Sequence, residues 1–152
     1  MSNTIIKNLI DAHRILSEIH DDVFDLHTFK QVKKCGTIAC AAGWLAMSDR
    51  FAPIMRLEQT DTRFYGLLPT VGEPEFDEEH GGYDFSWLDE HFGPSAFDNL
   101  FAERGSGYRD HAHPGTYVNG QEWVEVDARV TDKELALWRI QSQIDALQGV
   151  QA

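Results

Sequence analysis

Between Arg63 and Arg104 the chain has no lysine and no arginine, and in that interval it places ten acids: Glu73, Glu75, Asp77, Glu78, Glu79, Asp84, Asp89, Glu90, Asp98 and Glu103. The flanking stretches nearly balance, so this interval carries most of the net charge of −12. A surface of one sign attracts basic protein and repels nucleic-acid and membrane phosphate. Direct nucleic-acid binding is therefore disfavoured. The short basic cluster Lys30, Lys33 and Lys34 does not offset the overall field.

Other absences narrow the field further. No apolar run approaches the roughly 20 residues of a membrane span. The N-terminal MSNTIIKNLIDAHRIL lacks the basic start, apolar stretch and cleavage site of a secretory signal, so a cytoplasmic protein is expected, in the host cytoplasm if phage-encoded. There are two cysteines, Cys35 and Cys40, in a small-residue segment, which suits a reducing compartment better than a disulfide framework. No glycine-rich loop with a lysine opens a helix, which removes the usual phosphate cradle.

What is present reads as one domain over residues 1–152, mainly α with some β, containing a turn-rich acidic segment at residues 70–93. Ile5, Ile6, Leu9, Ala12, His13, Leu16 and Ile19 recur at helical steps, predicting a helix over 4–19 that starts near Ser2 or Asn3. A second helix is expected over 37–47, with Gly43 tolerated because another backbone approaches it. Pro53 and the stretch 60–69 interrupt regularity. Two short helical pieces are expected at 86–91 and 94–101, with Pro94 in the first position of the latter. Asn119-Gly120, flanked by Tyr117, Val118, Trp123, Val124 and Val126, predicts a two-residue β-hairpin, the single hairpin of the fold and near its C-terminus. Thr131 and Glu134 then form a capping box for a last helix through Leu147.

The candidate chemistry divides into three. Cys35 precedes the expected helix start, where a dipole favours the thiolate. Together with Cys40 and the His111/His113 loop it outlines a cysteine- or metal-dependent enzyme. The spacing is poor for a metal: there is no Cys-x-x-Cys pair and no His-Glu-x-x-His helix. An EF-hand is excluded as well. With Asp77 as first ligand, Gly81 falls at the fifth position and Leu88 at the twelfth, where oxygen donors are required. Neither a cofactor nor a catalytic or metal-ligating residue is assigned. A homo-oligomeric assembly protein using Trp44, Trp87 or Trp138 is a separate alternative.

The third candidate is a binding face. Phe76, Tyr83, Phe85, Trp87 and Phe92 alternate with the acids, whereas a segment kept only soluble lacks large aromatics. Such a pattern describes either aromatic anchors in a charged surround or a loop whose aromatics dip into the core. On the first reading the partner-binding residues are Glu73, Glu75, Asp77, Glu78, Glu79, Tyr83, Asp84, Phe85, Trp87, Asp89 and Glu90.

The segment CGTIACAAGW, preceded by FDLHTFK, resembles a group of small phage and bacterial proteins bearing a Cys-Gly-Thr-x-Ala-Cys-x-Ala-Gly-Trp signature. LDEHFGPSAFDNLFAERGSGYRD is likewise similar to segments of small phage proteins. The resemblance implies a phage or prophage setting and brings no catalytic role. In that setting the acidic block is expected to bind a basic host protein or nucleoprotein complex and inhibit a nucleic-acid-handling defence, of the CRISPR or restriction type. Duplex DNA carries about one charge per 1.7 Å, so ten carboxylates replace only roughly 17 Å of it. That is enough to plug one basic groove and too little to imitate long DNA.

Overall fold

A computed structural model describes residues 2–26, 28–33, 36–60, 65–74, 76–77, 82–101, 115–118, 122–125 and 131–149. Helix α1 spans Ser2–Ser17 and buries Leu9, Ala12 and Leu16, the three- and four-residue stripe of its sequence. It ends two residues before Ile19. The Ser17 hydroxyl donates back to the Arg14 carbonyl at 2.6 Å, and Glu18 and Ile19 donate to Ile15 and Leu16 at 3.2 and 3.1 Å. These i to i−3 bonds tighten and terminate the helix.

After a 3₁₀ turn at Asp21–Val23, strands β1 (Gln31–Lys33) and β2 (Gly36–Ile38) pair antiparallel, with Val32 opposite Thr37. The helix expected from Thr37 is thus half strand. Thr37 and Ile38 are β-branched and fit a ladder better than a helix. Ala39 continues the extended path: it forms a parallel bridge with Phe24 and accepts from the Asp25 N–H at 2.9 Å. Helix α2, Ala41–Ala46, begins only after Cys40. Five of its six residues are buried. A Cβ on Gly43 would lie 1.6 Å from the Phe29 carbonyl oxygen, so the close backbone approach expected there is present. The Trp44 indole donates to the Val23 carbonyl at 3.0 Å, tying α2 to the 3₁₀ turn.

Strands β3 (Met55–Gln59) and β4 (Tyr65–Pro69) run antiparallel from Met55–Pro69 to Gln59–Tyr65. Pro69 sits at the end of that ladder, where a missing N–H costs least. Two-residue strands β5 (Phe76–Asp77) and β6 (Gly82–Tyr83) pair next. Helix α3, Asp89–Phe92, follows a 3₁₀ turn at Ser86–Leu88. A π turn covers Phe97–Phe101. Pro94 lies in the turn ahead of that element and not at its first position.

Strands β7 (Gly115–Val118) and β8 (Glu122–Glu125) pair antiparallel, one of four such pairs among the described residues and not the single one expected. Val118 pairs with Glu122, so three residues separate the strand ends where two were expected. The Asn119-Gly120 dipeptide itself lies outside the described residues. Helix α4, Asp132–Leu147, opens with the full capping box: Thr131 Oγ1 accepts from the Glu134 N–H at 3.1 Å, and Glu134 accepts from the Thr131 N–H at 3.4 Å.

A mainly α fold with a single hairpin near the C-terminus is therefore not what forms. Among the described residues eight short strands make four antiparallel pairs, and three of these pairs precede residue 84. The architecture is mixed α+β. Short strands broken by Pro and Gly leave too few residues for period-two alternation to register, and their partners are set by tertiary pairing.

One core joins these elements. Leu9 and Leu16 from α1, Leu45 from α2, Phe51, Met55, Leu88, Phe92, Phe101, and Leu135 and Ile140 from α4 are all within 2 % of complete burial. Helix α1 packs most extensively on α4 and next on α3. The start of α4 is fastened to the end of α1 and the loop beyond it: Lys133 donates to the Ser17 carbonyl at 2.9 Å, and Asp132 accepts from the Leu26 N–H at 3.0 Å. No described helix is long and apolar enough to cross a membrane.

Candidate protein-binding surface

From Asp84 onward the acidic interval is anchored to the core. Asp84 accepts from the Ser86 N–H at 3.1 Å with one oxygen and from the Ser86 hydroxyl with the other, which starts the 3₁₀ turn. Phe85 then turns inward and stacks on Phe97, with centroids 4.3 Å apart and planes 9° off parallel. Phe29 lies against the same two rings at 5.8 and 6.3 Å. Leu88 and Phe92 are fully buried, and Phe92 contacts Phe51 and Phe101 at 5.5 and 5.3 Å between centroids.

Polar bonds complete the attachment. Asn8 on α1 donates to the His91 carbonyl at 2.9 Å and accepts from Arg50 at 2.6 Å, while Arg50 Nε pairs with Asp11 at 3.0 Å. Gln143 on α4 donates to the Phe92 carbonyl at 3.4 Å. Asp89 Oδ1 accepts from the Ala96 N–H at 2.9 Å, and its carbonyl accepts from Gly93 at 2.9 Å. This closes a turn in which Gly93 has φ +102° and Ser95 φ +52°. Only glycine adopts the former readily.

The eleven proposed contact residues are thereby sorted. Glu73, Asp84 and Glu90 are exposed. Phe85 and Trp87 are half-buried and packed against the core, so the inward-dipping alternative describes both rings. Asp89 serves the Gly93 turn. Asp77 and Tyr83 are placed by backbone pairing in β5 and β6, and Glu75, Glu78 and Glu79 lie outside the described residues.

A cleft of about 310 Å³ opens between the end of β4 and α3, lined by Pro53, Ile54, Pro69, Val71, Gly72, Glu73, Pro74, Trp87, Glu90 and His91. Sequence reasoning named only Glu73, Trp87 and Glu90 of these. The remainder come from segments separated by up to 38 positions, from Pro53 to His91, and no local pattern joins them. Arg56 reaches the edge of the cleft. Its Nε donates to the Pro69 carbonyl at 3.1 Å, and its two terminal nitrogens lie 3.5 and 3.6 Å from Glu58 and Glu73. Glu90 pairs with His91 at 3.1 Å, a contact that is ionic only when the imidazole is protonated.

The cysteine and histidine candidates have a different fate. Cys40 is 2 % exposed and occupies the N-cap of α2 without a side-chain cap bond. Burial pushes its thiol up to about 11, against a smaller opposing effect of the Gly43 and Ala42 N–H groups. It is therefore a neutral thiol at pH 7 and a poor nucleophile. Cys35, His111 and His113 lie outside the described residues. Among the described residues no three His, Cys, Asp or Glu side chains converge as a metal site. Of the three tryptophans considered for self-association, Trp44 and Trp87 pack on the core, while Trp138 on α4 remains 42 % exposed.

Compared with known proteins, the chain matches no family model, no curated protein and no solved structure.

Proposed function

We propose that this chain is a binding protein that inhibits a host nucleic-acid-handling defence complex, of the CRISPR or restriction type, by covering a basic protein surface with the acidic face of residues 73–90. The observation that carries the proposal is the division of labour within that face. Glu90 extends into solvent from a segment whose Phe85, Leu88 and Phe92 are packed into the core, and Glu73 is exposed at the same cleft. Charges on a pre-ordered support lose little entropy on binding, which favours both steered encounter and affinity. The phage or prophage setting is part of the same proposal, made on the CGTIACAAGW segment.

The proposal is tested by charge reversal. Replacing Glu73, Glu75, Asp77, Glu78, Glu79 and Glu90 with lysine is expected to abolish capture of a basic nuclease or nucleoprotein from host lysate. The unfolding transition should stay close to that of the parent. Capture by the parent should also weaken with added salt, because screening shortens the field. Capture that persists after reversal, or that is indifferent to salt, refutes the proposal.

A further inference from the structure

We propose that the cleft between β4 and α3 is a receptor for one arginine side chain, presented by a basic segment of a protein partner. This rests on the reading of the acidic face as partner-binding and assigns that face its point of specificity. Three features of the cleft combine. Its volume of about 310 Å³ is at the lower end of ligand sites, suited to a single long side chain with its adjoining backbone. Its walls are rigid and apolar: Pro53, Pro69 and Pro74 with Trp87, a lining that the aliphatic stem of a long cationic side chain covers well. Val71 stands at the same cleft and is 83 % exposed, the largest exposure among the described large apolar side chains.

The third feature is charge. Glu73 and Glu90 contribute to the lining with side chains 77 % and 75 % exposed. Arg56 already shows what this edge accepts, since its guanidinium donates to the Pro69 carbonyl and pairs with Glu73. Glu90 faces only His91 as an ionic partner among the described residues. With two carboxylates, Glu73 and Glu90, against Arg56 at its edge, the cleft carries more permanent negative than positive charge. A planar guanidinium both forks across carboxylates and stacks on an indole face, and an ammonium does neither as well. Arginine is the occupant that meets all three features.

The experiment is an NMR titration of the isotope-labelled full chain with the blocked peptide acetyl-Gly-Ser-Arg-Ser-Gly-amide. Peptides with lysine or the neutral isostere citrulline in place of arginine are run alongside. The arginine peptide is expected to shift the Trp87 indole and Val71 methyl signals saturably. The lysine peptide should bind about fivefold more weakly, and citrulline should give no saturable shift. E73Q/E90Q, judged folded by its own spectrum, should weaken arginine binding by about fivefold or more, an exposed ion pair being worth up to about that factor. E18Q, on the exposed end of the α1 region, should change nothing.

Equal shifts with citrulline, saturable shifts that map away from Trp87 and Val71, or undiminished binding by E73Q/E90Q overturn the assignment. The two readings fail separately. If the peptide binds as described but E73Q/E90Q still captures the host partner fully, the cleft stands and its role in the inhibitory face falls. If host capture follows charge reversal but the peptide never binds, the face stands and the arginine receptor falls.

Discussion

The α1–α4 pair buries aliphatic side chains and the acid-rich stretch from Asp84 to Phe101 buries both aromatic and aliphatic ones, by different means. In the helices, burial follows from period: Leu9, Ala12 and Leu16 recur along α1, and Leu135, Ala136, Ile140 and Ile144 recur along α4. In the acid-rich stretch no element exceeds five residues. Each short turn is held by a side chain that bonds to backbone, as Asp84 does to Ser86 and Asp89 to Ala96. The difference teaches that the acids here are of two kinds. Some, Asp84 and Asp89, are structural fasteners, and others, Glu90 and Asp98, are exposed.

The largest test of that comparison is Phe92→Ala. Phe92 is fully buried between Phe51 and Phe101, so its truncation should cost about 3–5 kcal/mol, as much as Leu16→Ala in α1, where about 2–5 kcal/mol is expected. Urea unfolding of both variants checks this. A loss below about 1 kcal/mol for Phe92→Ala would mean that the acid-rich stretch is attached to the core and is no part of it.

A second test uses pH to separate the apolar side from the charged one. Cys40 is held protonated by burial, with its thiol raised to about 11. Below about pH 9 both folded and unfolded chains keep that proton, and the contribution to stability is complete. Above it the unfolded chain releases the proton first, so stability falls as pH rises toward about 11 and levels beyond. Two pH units correspond to about 3 kcal/mol. Cys40→Ala should therefore give a visibly shallower alkaline decline in chemical-unfolding stability. Parallel curves for the parent and the variant would show that Cys40 is not in the environment described.

Legibility in the sequence follows the same division. Helices α1 and α4 were readable because their determinants are local: a stripe of apolar residues, and Thr131 with Glu134 three positions later. Strands β1 to β4 were not, since Thr37 and Leu68 acquire their conformation from Val32 and Arg56 across a ladder. The direction of Phe85 and Trp87 was likewise undecided, because the stack that turns Phe85 inward uses Phe97 and Phe29, twelve and fifty-six positions away. The charge of the face was legible residue by residue. Its cleft was not, for Pro53 and Val71 meet Trp87 only after β3 and β4 have paired.

The smallest effect gives the finest test, because it sets two adjacent carboxylates against each other. Asp89 accepts a hydrogen bond from the Ala96 N–H and closes the Gly93 turn, so Asp89→Ala leaves that donor unmatched and should cost about 1–2 kcal/mol. Asp89→Asn keeps an acceptor oxygen and should recover most of the loss. Glu90 is 75 % exposed and pairs only with His91 among the described residues, so Glu90→Ala should change stability by less than about 0.5 kcal/mol. The ordering expected from thermal or urea unfolding is Asp89→Ala well below the parent, with Asp89→Asn and Glu90→Ala near it. In partner capture the ranking should reverse, with Glu90→Ala impaired and Asp89→Asn close to normal. If the two positions behave alike in both measurements, the acids of this stretch are one undifferentiated solvated charge, and no interacting surface is distinguished within it.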